Sequence, residues 1–209
     1  MFKEFSISKE LADLLEKELY SQKVNWTYYP DTVAYYENTT EENQKYIDNI
    51  NVEHGPIKDS QRFSHSVYNL KQAKYPFEAL LSSLDSPLRQ DFKFFPIFIN
   101  EIQDTFFPHG YEITRCAVNR QLISPTRYLN GIHPDAECEK TFTVLYYVND
   151  SDGDTLFFNK DNLVKSVAPV KGTGVIFPST MWHAGACPTK SNTRTVINIL
   201  FRQKNEPSN

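Results

Sequence analysis

Residues 141–158 read TFTVLYYVNDSDGDTLFF, and residues 171–178 read KGTGVIFP. These two stretches decide the fold. Their apolar runs are short, rich in Thr, Val, Phe and Tyr, and bounded by clusters of Asn, Asp, Ser or Gly. Side chains of the first kind suit a pleated, half-buried surface, and residues of the second kind form turns. Working outward, the same succession of strand and turn runs from Tyr111 to Arg202. The predicted strands are Tyr111–Leu122, Tyr128–His133, Thr141–Val148, Thr155–Phe158, Val164–Ala168, Gly174–Phe177 and Arg194–Arg202. Ser-Pro-Thr, Asn-Asp-Ser-Asp-Gly-Asp, Asn-Lys-Asp-Asn and Lys-Gly-Thr-Gly punctuate them. Many short strands with this punctuation specify a mainly β fold, a sandwich or jelly roll.

The N-terminal half follows other periods. Ile7, Leu11, Leu14, Leu15 and Leu19 lie at helical spacing over residues 6–20, with Ser8 as the N-cap. A second helix starts at Pro96, buries Phe98, Ile102 and Phe106, and stops at Pro108-His109-Gly110. Between them, residues 25–36 (NWTYYPDTVAYY) read as strand-like. Residues 38–60 read as a solvated insertion or, functionally, as a lid or substrate loop. The expected organisation is a single domain over residues 1–209. N-terminal helices and the lid region occupy 1–110, and a β core occupies 111–202.

Composition narrows the function classes. A chain of 209 residues with 40% hydrophobic and 23% charged residues has the make-up of a soluble domain with a substantial core. Its net charge of −4 gives no reason to expect non-specific nucleic-acid binding. No apolar run approaches membrane-spanning length, and Met1-Phe2-Lys3-Glu4-Phe5 has no signal-region pattern. Cys116, Cys138 and Cys187 are scattered and odd in number, so they read as reduced thiols of a cytoplasmic protein.

The chemistry is carried by His133-Pro134-Asp135, by His183 and by Arg194. Residues i and i+2 of a strand project to one side, so His133 and Asp135 can face one metal, with His183 arriving from a distant strand. Two histidines and one carboxylate form the ligand set of non-haem iron(II) oxygenases, and the same set can hold catalytic zinc. Taken alone, the tripeptide equally suits a buried histidine or a surface turn. Arg194 discriminates. The polar loop from Ala184 to Thr193 lets its two strands fold back side by side, which would bring His183 and Arg194 into one pocket. Arginine grips a carboxylate in a planar two-point geometry, which suits the far end of a dicarboxylate cosubstrate.

Read together, HPD at 133–135, TFTVLYYVN at 141–149, SDGDTLFF at 151–158, KGTGVIFP at 171–178 and WHAGACPTKSNTRTVINILF at 182–201 carry a resemblance. Over residues 111–202 the chain resembles the iron(II)/2-oxoglutarate-dependent dioxygenases, most closely the prolyl-4-hydroxylase-like branch. The resemblance implies a double-stranded β-helix of cupin-like form, flanked by the N-terminal α-helices. It implies iron(II) held by His133, Asp135 and His183, 2-oxoglutarate anchored by Arg194, and dioxygen as the second cosubstrate. Tyr147 matches a tyrosine that helps hold the same carboxylate, and Asn198 stands four residues beyond the arginine, where a small polar side chain assists. Tyr128, on the strand leading to His133, is a further pocket residue. Where the family often has Gly-Gly, this chain has Asp152-Gly153-Asp154-Thr155.

The implied reaction hydroxylates a C–H bond and releases succinate and carbon dioxide. A prolyl residue in a peptide is the first substrate the resemblance suggests, with free amino acids, nucleobases and metabolites also open. Arg62, His65, Tyr68 and Trp182 are the expected substrate-facing residues. Two other readings stand beside this one: a β-helix that binds a peptide or small molecule without turnover, and a metal-dependent hydrolase or isomerase on a cupin-like fold.

Overall fold

The computed structural model describes residues 2–21, 24, 26–29, 62–69, 92–159 and 162–204, with the backbone alone at 29, 62–66, 68 and 69. Residues 38–60, expected to form the lid, lie outside the described residues. The described elements run β1 (Lys3–Ser6), α1 (Lys9–Leu19), β2 (Thr27–Tyr29), β3 (Arg62–Asn69), α2 (Phe95–Phe106), β4 (Tyr111–Leu122), β5 (Thr141–Tyr147), β6 (Thr155–Asn159), β7 (Asn162–Val167), β8 (Thr173–Pro178), β9 (Trp182–Gly185) and β10 (Thr193–Gln203). Two antiparallel sheets result: a seven-stranded one ordered β1-β8-β5-β10-β4-β3-β2 and a three-stranded one ordered β7-β6-β9. The architecture is a double-stranded β-helix with helices against its larger sheet.

Strand alternation decides what each face of the large sheet does. On β4, Cys116 and Val118 join the core shared with the helices; on β5, Val144 and Tyr146 do so; on β10, Ile197, Ile199 and Phe201. The intervening residues turn toward the small sheet. Leu145, Tyr147, Phe157, Val175, Phe177 and Val196 fill the space between the layers there. The helix-side core is aromatic: Phe107 stacks on Phe201 with ring centroids 4.1 Å apart, and Phe98 meets Tyr146 at 4.7 Å. Burying each such ring stabilises the fold by roughly 2–3 kcal/mol relative to exposure.

α1 begins where Ser8 Oγ accepts the Leu11 N–H at 3.2 Å, and it buries Leu11, Ala12, Leu15 and Leu19. Leu14 departs from the expected stripe and stays exposed. At 100° per residue it sits well outside the arc that Leu11, Leu15 and Leu19 share, and Ala12 takes the buried place instead. α2 places Pro96 in its first turn, as expected, and lacks a side-chain cap of its own. Glu18 of α1 replaces it. Its carboxylate accepts the backbone N–H groups of Lys93, Phe94 and Phe95, the last at 2.8 Å. Among the described residues no helix is long and apolar enough to cross a membrane.

Two expectations change. Tyr128–His133 is not a continuous strand: it touches β9 through isolated bridges at Leu129–Ala186 and His133–His183. β9 and β10 do not fold back beside each other either, since they belong to opposite sheets. The loop between them crosses the sandwich, and the pocket is therefore interlayer. β1 was missed because Phe5 is its single large apolar side chain; it pairs along β8, where Phe5 lies opposite Gly174. A side chain at Gly174 would approach the Phe5 ring to 2.5 Å, so this edge needs the glycine.

Candidate active site

Backbone pairing first brings the candidate ligands together. His133 and His183 exchange N–H···O=C bonds at 3.1 Å, and the N–H groups of Asp135 and Ala136 donate to the Ser179 carbonyl at 2.8 and 3.1 Å. The ligand loop is thus sewn to the end of β8 and to β9. His183 Nε2 stands 3.5 Å from Asp135 Oδ2, and His133 Nε2 stands 3.9 Å from Asp135 Oδ1.

The protons of both rings are accounted for. His133 Nδ1 donates to the Gly131 carbonyl at 2.7 Å and His183 Nδ1 to the Met181 carbonyl at 2.9 Å. A carbonyl only accepts, so in the neutral rings each Nε2 carries a lone pair. Burial pulls His183 down to about 4, which leaves it uncharged at neutral pH. Burial pushes the Asp135 carboxyl up, but His183, His133 and the Thr143 hydroxyl, 2.8 Å away, outweigh it and hold the group below its ordinary value. Asn198 Nδ2 adds longer contacts to the same carboxylate at 3.3 and 3.4 Å. Two lone pairs and a carboxylate therefore converge, their donor atoms within 4.8 Å of one another. A cation relieves that arrangement, and this donor set suits iron(II).

Arg194 lines the same cavity and is held by three acceptors, which leaves two of its five N–H groups. Its Nε donates to the Gly153 carbonyl at 2.7 Å, Nη2 to Thr155 Oγ1 at 2.7 Å, and Nη1 to Gln121 Oε1 at 3.3 Å. Tyr147 also donates to Thr155 Oγ1, at 2.9 Å, and burial holds its phenol above the ordinary value, so it keeps its proton. With both lone pairs of Thr155 used, its own O–H is left to donate elsewhere, and Thr155 lines the cavity. Tyr147 stands behind Thr155 and is not itself among the lining residues. The cavity holds about 220 Å³. One water needs only about 10–15 Å³ on this measure, so a small dicarboxylate has room.

The glycines around Arg194 are positional. A Cβ at Gly185 would come within 3.0 Å of the guanidinium carbon, and one at Gly153 would meet the Ala186 carbonyl at 2.4 Å. The Asp152 carboxylate pins the loop behind: Thr189, Lys190 and Ser191 donate their N–H groups to it, and the Thr189 hydroxyl does the same. Burial raises the Asp152 carboxyl, but these donors hold it far below its ordinary value.

Asn198 lines the cavity as well. It sits against Asp135 at the metal end, away from the arginine. Tyr128 accepts the Cys187 N–H at its carbonyl and donates its own N–H to Cys187 Sγ, and Trp182 packs on the cluster that holds Leu129, Ile132, Leu156 and Phe158; neither lines the cavity. The register separates Arg62, opposite Gln121, from His65 and Tyr68, opposite the core residues Val118 and Cys116. The sequence reading missed Thr155, Gly185, Gln121, Asn130, Asn119 and Arg115, which all line the cavity. Arg115, Asn119 and Gln121 share one parity of β4, but Glu112, Thr114 and Arg120 are polar at the other, so alternation alone does not single them out.

Residues 123–202 match the family profile of the 2OG-Fe(II) oxygenase superfamily. The matched stretch is 80 of the chain's 209 residues and is similar to that superfamily. The match spans the residues that build the metal cluster and Arg194, so family and geometry point to one reaction class: iron(II), 2-oxoglutarate and dioxygen as cofactor and cosubstrates of a hydroxylase. A search of curated protein sequences returns no match. Among solved structures, AviO1 from Streptomyces viridochromogenes superposes with a TM-score of 0.51 at 11% identity, covering 99% of this chain and 91% of that one. A 2OG-Fe(II) oxygenase family oxidoreductase from Burkholderia pseudomallei has 18% identity, a TM-score of 0.47 and coverage of 98% and 97%. A Pseudomonas putida prolyl-4-hydroxylase has 16% identity, a TM-score of 0.41 and coverage of 93% and 99%.

Proposed function

We propose that this oxygenase hydroxylates a C–H bond of a small-molecule or peptide substrate, with His133, Asp135 and His183 holding iron(II) and Arg194 receiving the far carboxylate of 2-oxoglutarate. One observation carries this reading: three donor atoms of a His-Asp-His set converge in a cavity whose other polar anchor is a buried, hydrogen-bonded arginine. Bound iron supplies the dioxygen chemistry that the protein's side chains cannot. The chain's own share is positional. Arg194 offers the cosubstrate a fixed cation, held flat by Gly153 and Thr155. The Thr155 hydroxyl, oriented by Tyr147 and Arg194, donates to the same carboxylate. Thr143 and Asn198 keep the Asp135 carboxylate ionised and aimed at the metal.

A prolyl peptide is the substrate to test first, on the resemblance to the prolyl-hydroxylase-like branch. The free thiols of Cys116, Cys138 and Cys187 support a cytoplasmic setting. Anaerobic calorimetry with iron(II) and then 2-oxoglutarate tests the assignment. The wild type is expected to bind one equivalent of each. His183→Ala and Asp135→Asn lose the metal, whereas Arg194→Met keeps the metal and binds 2-oxoglutarate roughly 10–100 times more weakly, the loss of charge-assisted hydrogen bonds. Undiminished metal binding by His183→Ala would remove that residue from the ligand set.

A further inference from the structure

Arg115 has no role in the chemistry above. It lies on the cavity face of β4, half-buried, and lines the same cavity as the metal ligands. Among the described residues it makes no hydrogen bond and no ion pair. Every other arginine whose side chain is described is engaged. Arg120 is stacked between the rings of Tyr20 and Trp26, Arg127 faces Asp154, Arg194 has its three acceptors, and Arg202 is paired with Glu112.

The register locates Arg115 relative to the two ends of the site. Gln121 lies opposite Arg194, Asn119 opposite Val196, Ala117 opposite Asn198 and Arg115 opposite Leu200. On the other side of β10, Leu200 lies opposite Thr143. Asn198 and Thr143 are the residues that donate to Asp135. The metal ligand is therefore bracketed by the Asn198 and Leu200 rows, and Arg115 belongs to the second of these. Along β4, Arg115 is roughly 20 Å of backbone from the Gln121–Arg194 row, at about 3.4 Å per residue. It flanks the Asp135 carboxylate on the side away from the Arg194 row. A substrate would enter there.

Charge points to the same occupant. A divalent ion, the Asp135 carboxylate and the Arg194 guanidinium together balance a dianionic cosubstrate. Arg115 then adds a half-buried cation beyond that balance, within the field of the Asp135 carboxylate, and its planar fork matches a carboxylate or phosphate. We propose that the substrate carries an oxyanion, a carboxylate or a phosphate, which docks on Arg115 and sets the target C–H bond beside the metal. The inference rests on the proposed function and names the chemistry of its substrate.

The test uses the full chain, loaded without oxygen with manganese(II) and 2-oxoglutarate. Amino acids as free acids and as carboxamides, and nucleosides with and without a 5′-phosphate, are titrated by calorimetry. The two arms separate a carboxylate from a phosphate as the recognised group. At least one acid is expected to bind, with its neutral counterpart weaker by roughly tenfold or more, the worth of a hydrogen-bonded charge. Arg115→Met is expected to lose that binding by a similar factor and to keep 2-oxoglutarate affinity within about twofold, since only the substrate's bonds are removed. Arg115→Lys, which restores a cation without the fork, recovers part of it. The proposal is overturned if no acid in the panel binds, if neutral counterparts bind equally, or if Arg115→Met binds the acid like wild type. Loss of 2-oxoglutarate binding in Arg115→Met also overturns it, by making Arg115 a cosubstrate residue. Failure of the wild type to bind 2-oxoglutarate would instead sink the function on which the inference rests.

Discussion

Asp152, Gly153, Asp154 and Thr155 each do separate work at the arginine end of the cavity. Asp152 anchors the 189–191 backbone, Gly153 lends its carbonyl to Arg194, the Asp154 carbonyl accepts the Ala186 N–H at 2.7 Å, and Thr155 links Arg194 to Tyr147. The departure from Gly-Gly noted in the sequence keeps the one glycine that the packing requires. Gly185 makes a matching demand from β9. Gly185→Ala is expected to push the guanidinium off its acceptors and raise the KM for 2-oxoglutarate roughly tenfold, as for one charged hydrogen bond lost. Steady-state succinate assays with cosubstrate varied read this directly, and an unchanged KM would mean that Arg194 yields without cost. His183 sets a pH dependence. Its folded value of about 4 lies below the ordinary 6.5, so the unfolded chain takes up the proton first. Stability of the metal-free protein is then complete above about 6.5 and is lost as pH falls toward 4. Urea titrations across that window should show the decline, and His183→Asn should flatten it. HPD, His183 and Arg194 were legible as residues because their types and order are distinctive. Thr155, Gly185 and Arg115 were not, because ordinary residues acquire a role only when the opposite sheet arrives.

Elements reveal a second kind of dependence. α1 and α2 are far apart in sequence, yet one carboxylate joins them: Glu18 accepts the three N–H groups at the start of α2. Those donors have no partner within their own helix, and the helix N-terminus favours a negative charge. Glu18→Ala is expected to cost about 1–2 kcal/mol, as for other lost N-caps. For a chain of this size each kcal/mol lowers Tm by roughly 2–4 °C. Thermal unfolding followed by circular dichroism measures it, and an unaltered Tm would show that water replaces the cap. Local signals made most elements readable. Tyr111–Leu122 matches β4 residue for residue, and the runs read at 141–148, 155–158, 174–177 and 194–202 fall within about a residue or two of strand ends. Glu18 could not be read as a cap, because the partner is 75 residues away. The strand predicted at Tyr128–His133 failed for a related reason. A segment that pairs only at Leu129 and His133 follows the course of β9, not its own side-chain pattern.

At the scale of the whole molecule, the two sheets divide the labour. The small sheet contributes His183, Gly185 and Thr155, and the large one contributes Arg194, Gln121, Asn198 and Arg115. Mainly β architecture was legible from strand length and turn chemistry, but the assignment of β9 and β10 to opposite layers was not. A polar loop can join neighbours or cross a sandwich, and only the sheet pairings decide which. The crossing explains why the site is an interlayer cavity, with His183 on the small sheet's edge strand and Arg194 on the large sheet. The central claim is that this cavity couples iron(II) to the oxidative decarboxylation of 2-oxoglutarate. The most direct measurement is succinate formed by the purified, metal-stripped chain with and without added iron(II), in air, beside His183→Ala. The account predicts succinate formation that requires iron(II) and 2-oxoglutarate in the wild type and falls to background in the variant. Equal succinate formation without iron(II), or in His183→Ala, would contradict it.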